Sequence, residues 1–183
     1  MGTTYDQLDD KLIAFIRRQK LFFVATAPLS SDGSVNLSPK GYDSLAIIDN
    51  RTVAYADLGG SGIETHAHLT ENGRITLMFC AFEGAANILR LYGRGESVAF
   101  DDPRFADRMK LFPDFERARA VVTVHIHRVA DSCGWGVPFF DYKGERDQLR
   151  RWVDARPLEE WAARRFESNA ESIDGLPGLI PHA

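Results

Sequence analysis

Apolar residues near the start of the chain recur with the spacing of one face of a helix. The stripe consists of Leu8, Leu12, Phe15 and Ile16. Thr4 and Gln7 have the spacing of a capping box, in which each side chain satisfies a free backbone amide of the first turn. The pattern therefore predicts an amphipathic helix over residues 5 to 18.

Two hairpins follow this helix, because short apolar runs alternate with turn sequences. The run "LFFVATAP" is joined to the more polar "VNLSPKG" through a turn with Asp-Gly at its centre, and "LAIIDNRTVAYAD" contains two runs about an Asp-Asn turn. Three further runs, "RITLMFCAFE", "ILRLYGRGESVAF" and "AVVTVHIHRVA", also predict strands. The succession of hairpins indicates antiparallel pairing.

Helices are predicted between and after these strands. Ser61 and Glu64 form a second capping-box pattern, at the start of a helix of about two turns that ends at Asn72. Further helices are predicted after the Asp102-Pro103 pair, at about residues 145 to 154 and at residues 157 to 168.

The predicted fold class is mainly β with peripheral helices (α+β). The count is six to seven antiparallel strands, and the βαβ alternation of a dinucleotide-binding sheet is missing. Closing such strands into a small barrel removes exposed sheet edges. We therefore expect a split β-barrel, with residues 1 to 183 in a single domain.

The composition is that of an ordinary globular protein and narrows the class of partner. Hydrophobic residues make up 44% and charged residues 26%, and no stretch approaches the roughly 20 apolar residues of a membrane helix. The formal net charge of -4 argues against a nucleic-acid partner. The first residues do not form a signal-peptide pattern, and Cys80 and Cys133 lie in unlike contexts. We expect a cytoplasmic protein with reduced thiols, no membrane partner and a small-molecule ligand.

The glycine-rich bend from Gly59 to Gly62 is the first candidate for chemistry. It precedes a helix whose first amides lack intrahelical partners and therefore attract an anion. The alternative is that Ser61 and Glu64 only cap the helix, and the Glu64 carboxylate would repel a phosphate in that turn. A Walker pattern and a complete GxGxxG pattern are both missing from the sequence, so both interpretations stay open.

Asn36, Ser38 and Lys40 occupy alternate positions of an extended segment and therefore share one face. Pro39 lies between them and disfavours an interior strand, since proline has no amide to donate. A cation beside a hydroxyl and an amide suits an anionic or heteroaromatic ligand. A solvated strand edge is the alternative.

Two further groups of side chains are candidates for contact with a metal or a ligand. His125 and His127 share a strand face, but a metal normally needs a third ligand, and His66 and His68 diverge on their helix. We therefore predict no metal site. Four aromatic residues either form a lid over a flat ligand or pack a loop against the barrel, namely Trp135, Phe139, Phe140 and Tyr142.

The order of these stretches resembles a known family. "FVATAP" followed by a turn and "VNLSPKG", then "VAYAD", the Gly/Ser loop before a short helix, "ENGRITLMF" and "RLYGRG" look like the FMN-binding split barrels related to pyridoxamine 5'-phosphate oxidase. The resemblance covers roughly residues 20 to 130. It implies a flavin-binding split barrel there, with residues 131 to 183 as a loop and C-terminal helical extension.

The resemblance implies FMN as the cofactor and assigns residues to it. The strand that ends at Gly41 corresponds to the one that runs past the flavin ring, and Lys40 would lie near the ring or the substrate. The "VAYAD" strand and the loop after it correspond to the site of the ribityl phosphate. The implied cofactor-binding residues are Asn36, Ser38, Pro39, Lys40, Gly41, Tyr55, Asp57, Ser61, Gly62, Thr65 and Arg90. The resemblance identifies no catalytic residue.

The chain departs from the vitamin B6 oxidases of this family in two places. Those enzymes carry an Arg-Lys pair in the phosphate loop, where this chain has Gly62-Ile63-Glu64, and they end in an Arg-Leu-x-Pro segment that this chain lacks. Vitamin B6 oxidation is therefore not the implied activity. Relatives build each flavin site from two subunits, which implies a homodimer with the cofactor at its interface. Candidates to supply the missing charge across that interface are Arg90, Arg94 and Arg128.

The implied function is that of an FMN-dependent oxidoreductase acting on a small molecule. In such enzymes the flavin carries electrons or hydride while the protein positions it. The alternatives are a non-catalytic flavin-binding or sensing module, a deazaflavin- or haem-binding relative on the same barrel, and a barrel that has lost its cofactor.

Overall fold

The computed structural model describes residues 2–115 and 117–181. The strands are β1 Thr4–Tyr5, β2 Phe22–Thr26, β3 Asn36–Lys40, β4 Leu45–Ile47, β5 Thr52–Asp57, β6 Arg74–Cys80, β7 Ile88–Ala99 and β8 Ala120–Ser132. The helices are α1 Asp10–Arg18, α2 Glu64–Asn72, α3 Phe105–Met109, α4 Gln148–Asp154 and α5 Leu158–Ser168.

The strands form one curled antiparallel sheet, a half-barrel in the order β3-β2-β6-β7-β8-β5-β4. The two predicted hairpins are β2-β3 and β4-β5. The short β1 adds to β8. A bulge between Tyr92 and Gly93 interrupts the pairing of β7 with β8, and such bulges bend a strand and increase its twist. The predicted split barrel with peripheral helices is thereby confirmed, and β1 is a strand that the sequence pattern did not indicate.

The core lies on the inner side of the curled sheet. The ring of Phe22 lies 5.6 Å from that of Tyr55 and 5.7 Å from that of Phe79, between ring centroids. Helix α1 covers this cluster with the buried side chains Leu12, Phe15 and Ile16. The predicted amphipathic stripe therefore faces the core, and its burial supplies much of the hydrophobic stabilisation of the barrel.

The start of α1 was predicted wrongly. The helix begins at Asp10, and the Asp9 carboxylate caps it by accepting a hydrogen bond from the amide of Leu12 at 2.8 Å. Thr4, which the pattern placed in a capping box, lies in β1 and pairs with Ala130. The competing interaction is a strand pairing between residues distant in the sequence, which local spacing does not reveal.

The capping box at α2 was also predicted wrongly. Among the described residues no side chain caps this helix, whose N-cap residue is Ile63. The Glu64 carboxylate turns instead toward the C-terminal segment, where its Oε1 accepts the amide hydrogen of Ile173 at 3.2 Å. Helix α3 begins at Phe105, after Arg104, and so later than the Asp102-Pro103 pair suggested.

The C-terminal segment packs on the barrel next to the start of α2. The ring of Phe100 lies 5.0 Å from that of Trp161 and 4.9 Å from that of Phe166 on α5. Leu179 joins a small buried cluster with Ile63, the residue before α2. Helix α5 is thus held against the glycine-rich bend. In the part of the chain described, no helix is long and apolar enough to cross a membrane.

Candidate functional site

Asp57, the last residue of β5, is the centre of a buried ion cluster. Its Oδ1 lies 3.1 Å from Lys40 Nζ, and its Oδ2 accepts a hydrogen bond from Arg119 Nε at 3.0 Å. The amide of Gly59 also points to Oδ1, at 3.4 Å. Burial alone would raise the pKa of Asp57, but the charges and hydrogen bonds of Arg119 and Lys40 outweigh it and hold that pKa well below its ordinary value. Asp57 is therefore a carboxylate at neutral pH.

The β2-β3 hairpin brings Lys40 to this cluster. Lys40 pairs with Phe22, whose side chain is buried in the core, so alternation along β3 turns Asn36, Ser38 and Lys40 toward the interior of the half-barrel. Pro39 faces outward on a strand at the sheet edge, as its missing amide requires. The Lys40 side chain is only 18% exposed. The alternative of a solvated strand edge is therefore wrong for Lys40.

A second, uncharged network connects β3 to helix α2. The Nδ2 of Asn36 donates to the hydroxyl of Thr65 at 2.9 Å and to that of Thr26 at 3.1 Å. The Thr26 hydroxyl also lies 3.0 Å from Nδ1 of the fully buried His68. Burial lowers the pKa of His68, which favours the neutral imidazole. Asn36 and Thr65 are distant in the sequence, and the fold brings them into direct contact.

Ser38 Oγ, on the inner face, has no hydrogen-bond partner among the described residues. The buried hydroxyl of Tyr55 has only a weak interaction with the side chain of Thr65. The Tyr55 ring packs in the core against Phe22, so only its hydroxyl offers a polar contact. Burial and the charge of Asp57 raise the pKa of Tyr55 well above its ordinary value, so it stays a neutral donor. Because buried polar groups are nearly always hydrogen-bonded, Ser38 Oγ is an atom that a polar group of a ligand would satisfy.

The glycine-rich bend connects the ion cluster to helix α2. Gly59 has φ +87°, a left-handed conformation that favours glycine, and a Cβ there would lie 2.9 Å from Cζ of Arg165. Ser61 is exposed, and Gly62 lies under the carboxylate of Glu64, which a Cβ at position 62 would strike. The guanidinium of Arg165 thus lies directly against Gly59, whereas a Cβ at Gly60 would meet open space.

Arg119 and Arg165 are the two functional candidates that the sequence did not single out. Arg119 Nη1 donates to Asn169 Oδ1 at 3.1 Å, and Arg165 Nη1 donates to the carbonyl of Gly60 at 3.3 Å. Both side chains are buried, Arg165 to 3% exposure. Nothing in the run "AARRF" distinguishes the buried Arg165 from the exposed Arg164 except the position of Trp161 one helical turn earlier.

The three arginines named as possible phosphate ligands lie elsewhere in the same chain. Arg90 is nine residues, about 30 Å of extended strand, from Ala99, the β7 residue nearest to Asp57 along the sheet. Its Nη1 donates to Ser132 at 3.1 Å. Arg94 donates to the carbonyl of Asn72 at the C-terminal end of α2, and Arg128 lies over the ring of Tyr92. These three arginines could contact a phosphate at the bend only if they came from a second subunit.

Two cavities adjoin the predicted cofactor strand. One of about 470 Å³ is lined by Lys40 and Gly41 together with the aromatic rings of Phe22 and Phe79. Another, of about 100 Å³, extends from Lys40 and Gly41 to Asp57. A volume of several hundred Å³ is typical of small-molecule sites, and the walls of the larger cavity are mostly polar. The two cavities meet at the predicted ring-binding residues.

The remaining sequence candidates lie away from this cluster. His125 and His127 share an exposed face of β8, and the described residues contain no group of three side chains suited to a metal. Phe140 stacks on Phe82 with ring centroids 5.1 Å apart, whereas Trp135 is 86% exposed. The loop that carries these aromatic residues therefore packs against the protein at Phe140 but leaves Trp135 in solvent. Neither interpretation predicted this combination.

Comparison with known proteins gives a family. The model of the pyridoxamine 5'-phosphate oxidase family matches residues 8–133. The pyridoxamine 5'-phosphate oxidase family protein ustO of Aspergillus flavus is 39% identical over 196 residues, covering 98% of this chain and 78% of that protein. These matches reach well beyond the quoted stretches and include the whole half-barrel.

Solved structures share the fold. The HupZ protein of Group A Streptococcus has a TM-score of 0.53 at 24% identity, covering 67% of this chain and 91% of that one. A protein related to general stress protein 26, of the pyridoxinephosphate oxidase family, from Clostridium acetobutylicum has a TM-score of 0.51 at 14% identity, covering 78% of this chain and 99% of that one.

Proposed function

The chain belongs to the pyridoxamine 5'-phosphate oxidase family, and from this premise we propose that it is an FMN-binding flavoprotein that acts as an oxidoreductase on a small molecule. The observation that carries the proposal is the convergence of three separate segments. Lys40 on β3 contacts Asp57 on β5, and Asn36 on β3 contacts Thr65 on α2. The resemblance assigned the cofactor to these same segments.

The residues present fit a flavin. Lys40 and Gly41 line a cavity of about 470 Å³, a volume that suits a small heteroaromatic ligand. Ser38 Oγ has no partner in the described chain, and the ribityl hydroxyls of a flavin are groups that satisfy such an atom. A bound flavin would supply hydride and electron transfer.

The side chains of this chain would then bind, orient and tune the cofactor. Lys40 keeps two further donor positions beyond its bond to Asp57 and presents a positive charge toward the cavity, where it stabilises negative charge on a ligand. The Asn36 amide fixes Thr65 and Thr26, so that their hydroxyls keep one orientation.

The test is a binding comparison on the purified chain. FMN and riboflavin are titrated by fluorescence quenching, and a deazaflavin and haem are titrated in parallel. The proposal requires FMN to bind with one molecule per chain. If a deazaflavin or haem binds more tightly than FMN, that compound is the cofactor in place of FMN. If none of the four compounds binds, the flavoprotein function is refuted. Photoreduction and a nicotinamide oxidation assay then separate an oxidoreductase from a flavin-binding module that does no catalysis.

We further propose a homodimer with the cofactor at its interface. Two apolar side chains on and beside the edge strand β3 support it, since Val35 and Leu37 are both largely exposed and point away from the core. Sedimentation should give about twice the 20.5 kDa chain mass. A monomer that binds FMN with full stoichiometry would refute a shared site. Leu37→Ser should weaken the dimer, whereas Leu29→Ser on the preceding loop serves as the control.

A further inference from the structure

Helix α5 places a buried cation on the glycine-rich bend without a counter-ion. The guanidinium of Arg165 lies between two indoles, with Cζ 4.9 Å from the ring centroid of Trp152 and 5.6 Å from that of Trp161. One nitrogen, Nη1, donates to the carbonyl of Gly60. The other two, Nε and Nη2, are buried and have no hydrogen-bond partner among the described residues.

The surrounding charges do not balance. Arg165, Arg119 and Lys40 contribute three cations, and Asp57 contributes one carboxylate whose two oxygens already bond Arg119 and Lys40. Burial lowers the pKa of Arg165, and the charge of Arg119 lowers it further, while Asp57 opposes both. The cluster therefore holds two positive charges more than Asp57 can neutralise. Buried charges of this kind are costly unless they are paired.

A phosphate monoester is the ligand whose charge matches. It carries about −1.5 to −2 at neutral pH and three acceptor oxygens, and an arginine grips it in bidentate fashion through two nitrogens such as Nε and Nη2. The bend also ends at the first turn of α2, a nine-residue helix that no described side chain caps. Its free amides and dipole also favour an anion, while the Glu64 carboxylate in the first turn opposes one.

We propose that Arg165 and Arg119 form a binding site for a phosphate dianion at the bend from Gly59 to Gly60. Helix α5 thereby supplies the charge that the Gly62-Ile63-Glu64 stretch lacks. The inference rests on the proposed function in that the dianion is taken to be the terminal phosphate of FMN. Arg165 lies outside residues 8–133, the part that matches the family model, so the C-terminal extension contributes one of the two arginines of this site.

The variant that tests the site is Arg165→Gln, with Arg164→Gln as its matched control. Arg164 is the exposed neighbour on the same helix, so the control makes the same change of charge without touching the bend. Arg165→Lys keeps the charge and loses the bidentate fork. Dissociation constants for FMN and riboflavin are measured for the wild-type chain and all three variants by fluorescence quenching.

We expect the wild type to prefer FMN over riboflavin and Arg165→Gln to reduce that preference about 10- to 100-fold, as the loss of charge-assisted hydrogen bonds implies. Arg165→Lys should fall between, and Arg164→Gln should match the wild type. Riboflavin affinity should hold in every variant, which separates a lost phosphate contact from a misfolded chain. An unchanged preference in Arg165→Gln, or a wild type without preference, overturns the site.

A second measurement distinguishes failure of this site from failure of the proposed function. Melting temperature is followed against inorganic phosphate in a phosphate-free buffer. If the wild type binds no flavin but phosphate raises its melting temperature and Arg165→Gln abolishes the rise, the flavoprotein function fails and the dianion site stands. An equal response of wild type and Arg165→Gln to phosphate refutes the site, whichever flavin binds.

Discussion

Asp57 and Arg165 are both buried and charged and lie at the same end of the barrel, yet their surroundings differ. Both oxygens of Asp57 are bonded, to Lys40 and Arg119. Arg165 has one bond to a carbonyl and two nitrogens without a partner in the described chain. The first group is satisfied by the fold and contributes to its stability. The second costs stability, and this difference is what marks the bend as a place for a ligand.

Replacing Asp57 should give the largest effect on folding. Asp57→Asn leaves Lys40 and Arg119 buried without a counter-ion, so the free energy of unfolding should fall by about 3–5 kcal/mol. Urea unfolding at neutral pH measures the change. The control is Asp107→Asn, which removes an exposed ion pair with Lys110 and should leave the free energy of unfolding nearly unchanged. Equal losses in the two variants would mean that the cluster does not stabilise the fold.

Lowering the pH should remove the stabilisation that the Asp57 carboxylate provides. The pKa of Asp57 is lower in the folded chain than in the unfolded chain, so the unfolded state takes up its proton first as the pH falls. Its stabilisation is present above about pH 4, the ordinary value, and is lost progressively below it. Urea unfolding at several pH values should show a shallower loss below pH 4 in Asp57→Asn than in the wild type. Parallel curves would assign the acid sensitivity to other groups.

The uncharged network should give an intermediate effect. Asn36→Ala removes the donor shared by Thr26 and Thr65, so we expect a loss of about 1–2 kcal/mol in the free energy of unfolding. Flavin affinity should fall as well, because both threonine hydroxyls lose their fixed orientation. Leu29→Ala, at an exposed position on the loop before the same strand, is the control for folding. A loss of stability without any change in flavin affinity would place Asn36 in the scaffold alone.

Arg165→Gln should have the smallest effect on the free energy of unfolding of the ligand-free chain. It therefore gives the clearest comparison with Asp57→Asn. Because two of its nitrogens are buried without partners, removing the charge should leave the free energy of unfolding unchanged within about 1 kcal/mol, or raise it. Urea unfolding without ligand provides the measurement. A loss as large as that of Asp57→Asn would show that Arg165 stabilises the fold itself.

Local patterns predicted most of the elements and one face of the site. The turns and apolar runs indicated every strand except β1. Alternation placed Asn36, Ser38 and Lys40 on one face because the side-chain period of a strand depends only on the backbone. The helix starts were less reliable. Asp9, rather than Thr4, caps α1, and Ile63 precedes α2, because Thr4 and Glu64 bond to segments far along the chain.

The sequence by itself therefore determined the split barrel, its edge strand and the segments that meet at the candidate site. Only the tertiary structure decided which positively charged side chains lie at the candidate site. The sequence alone indicates that Arg90, Arg94 and Arg128 are basic residues on strands. Arg119 and Arg165 reach the site only through hydrogen bonds to residues that lie 62 and 105 positions away in the sequence. Charge balance inside a protein depends on which groups are buried together, and that is a property of packing between distant segments that no local spacing encodes.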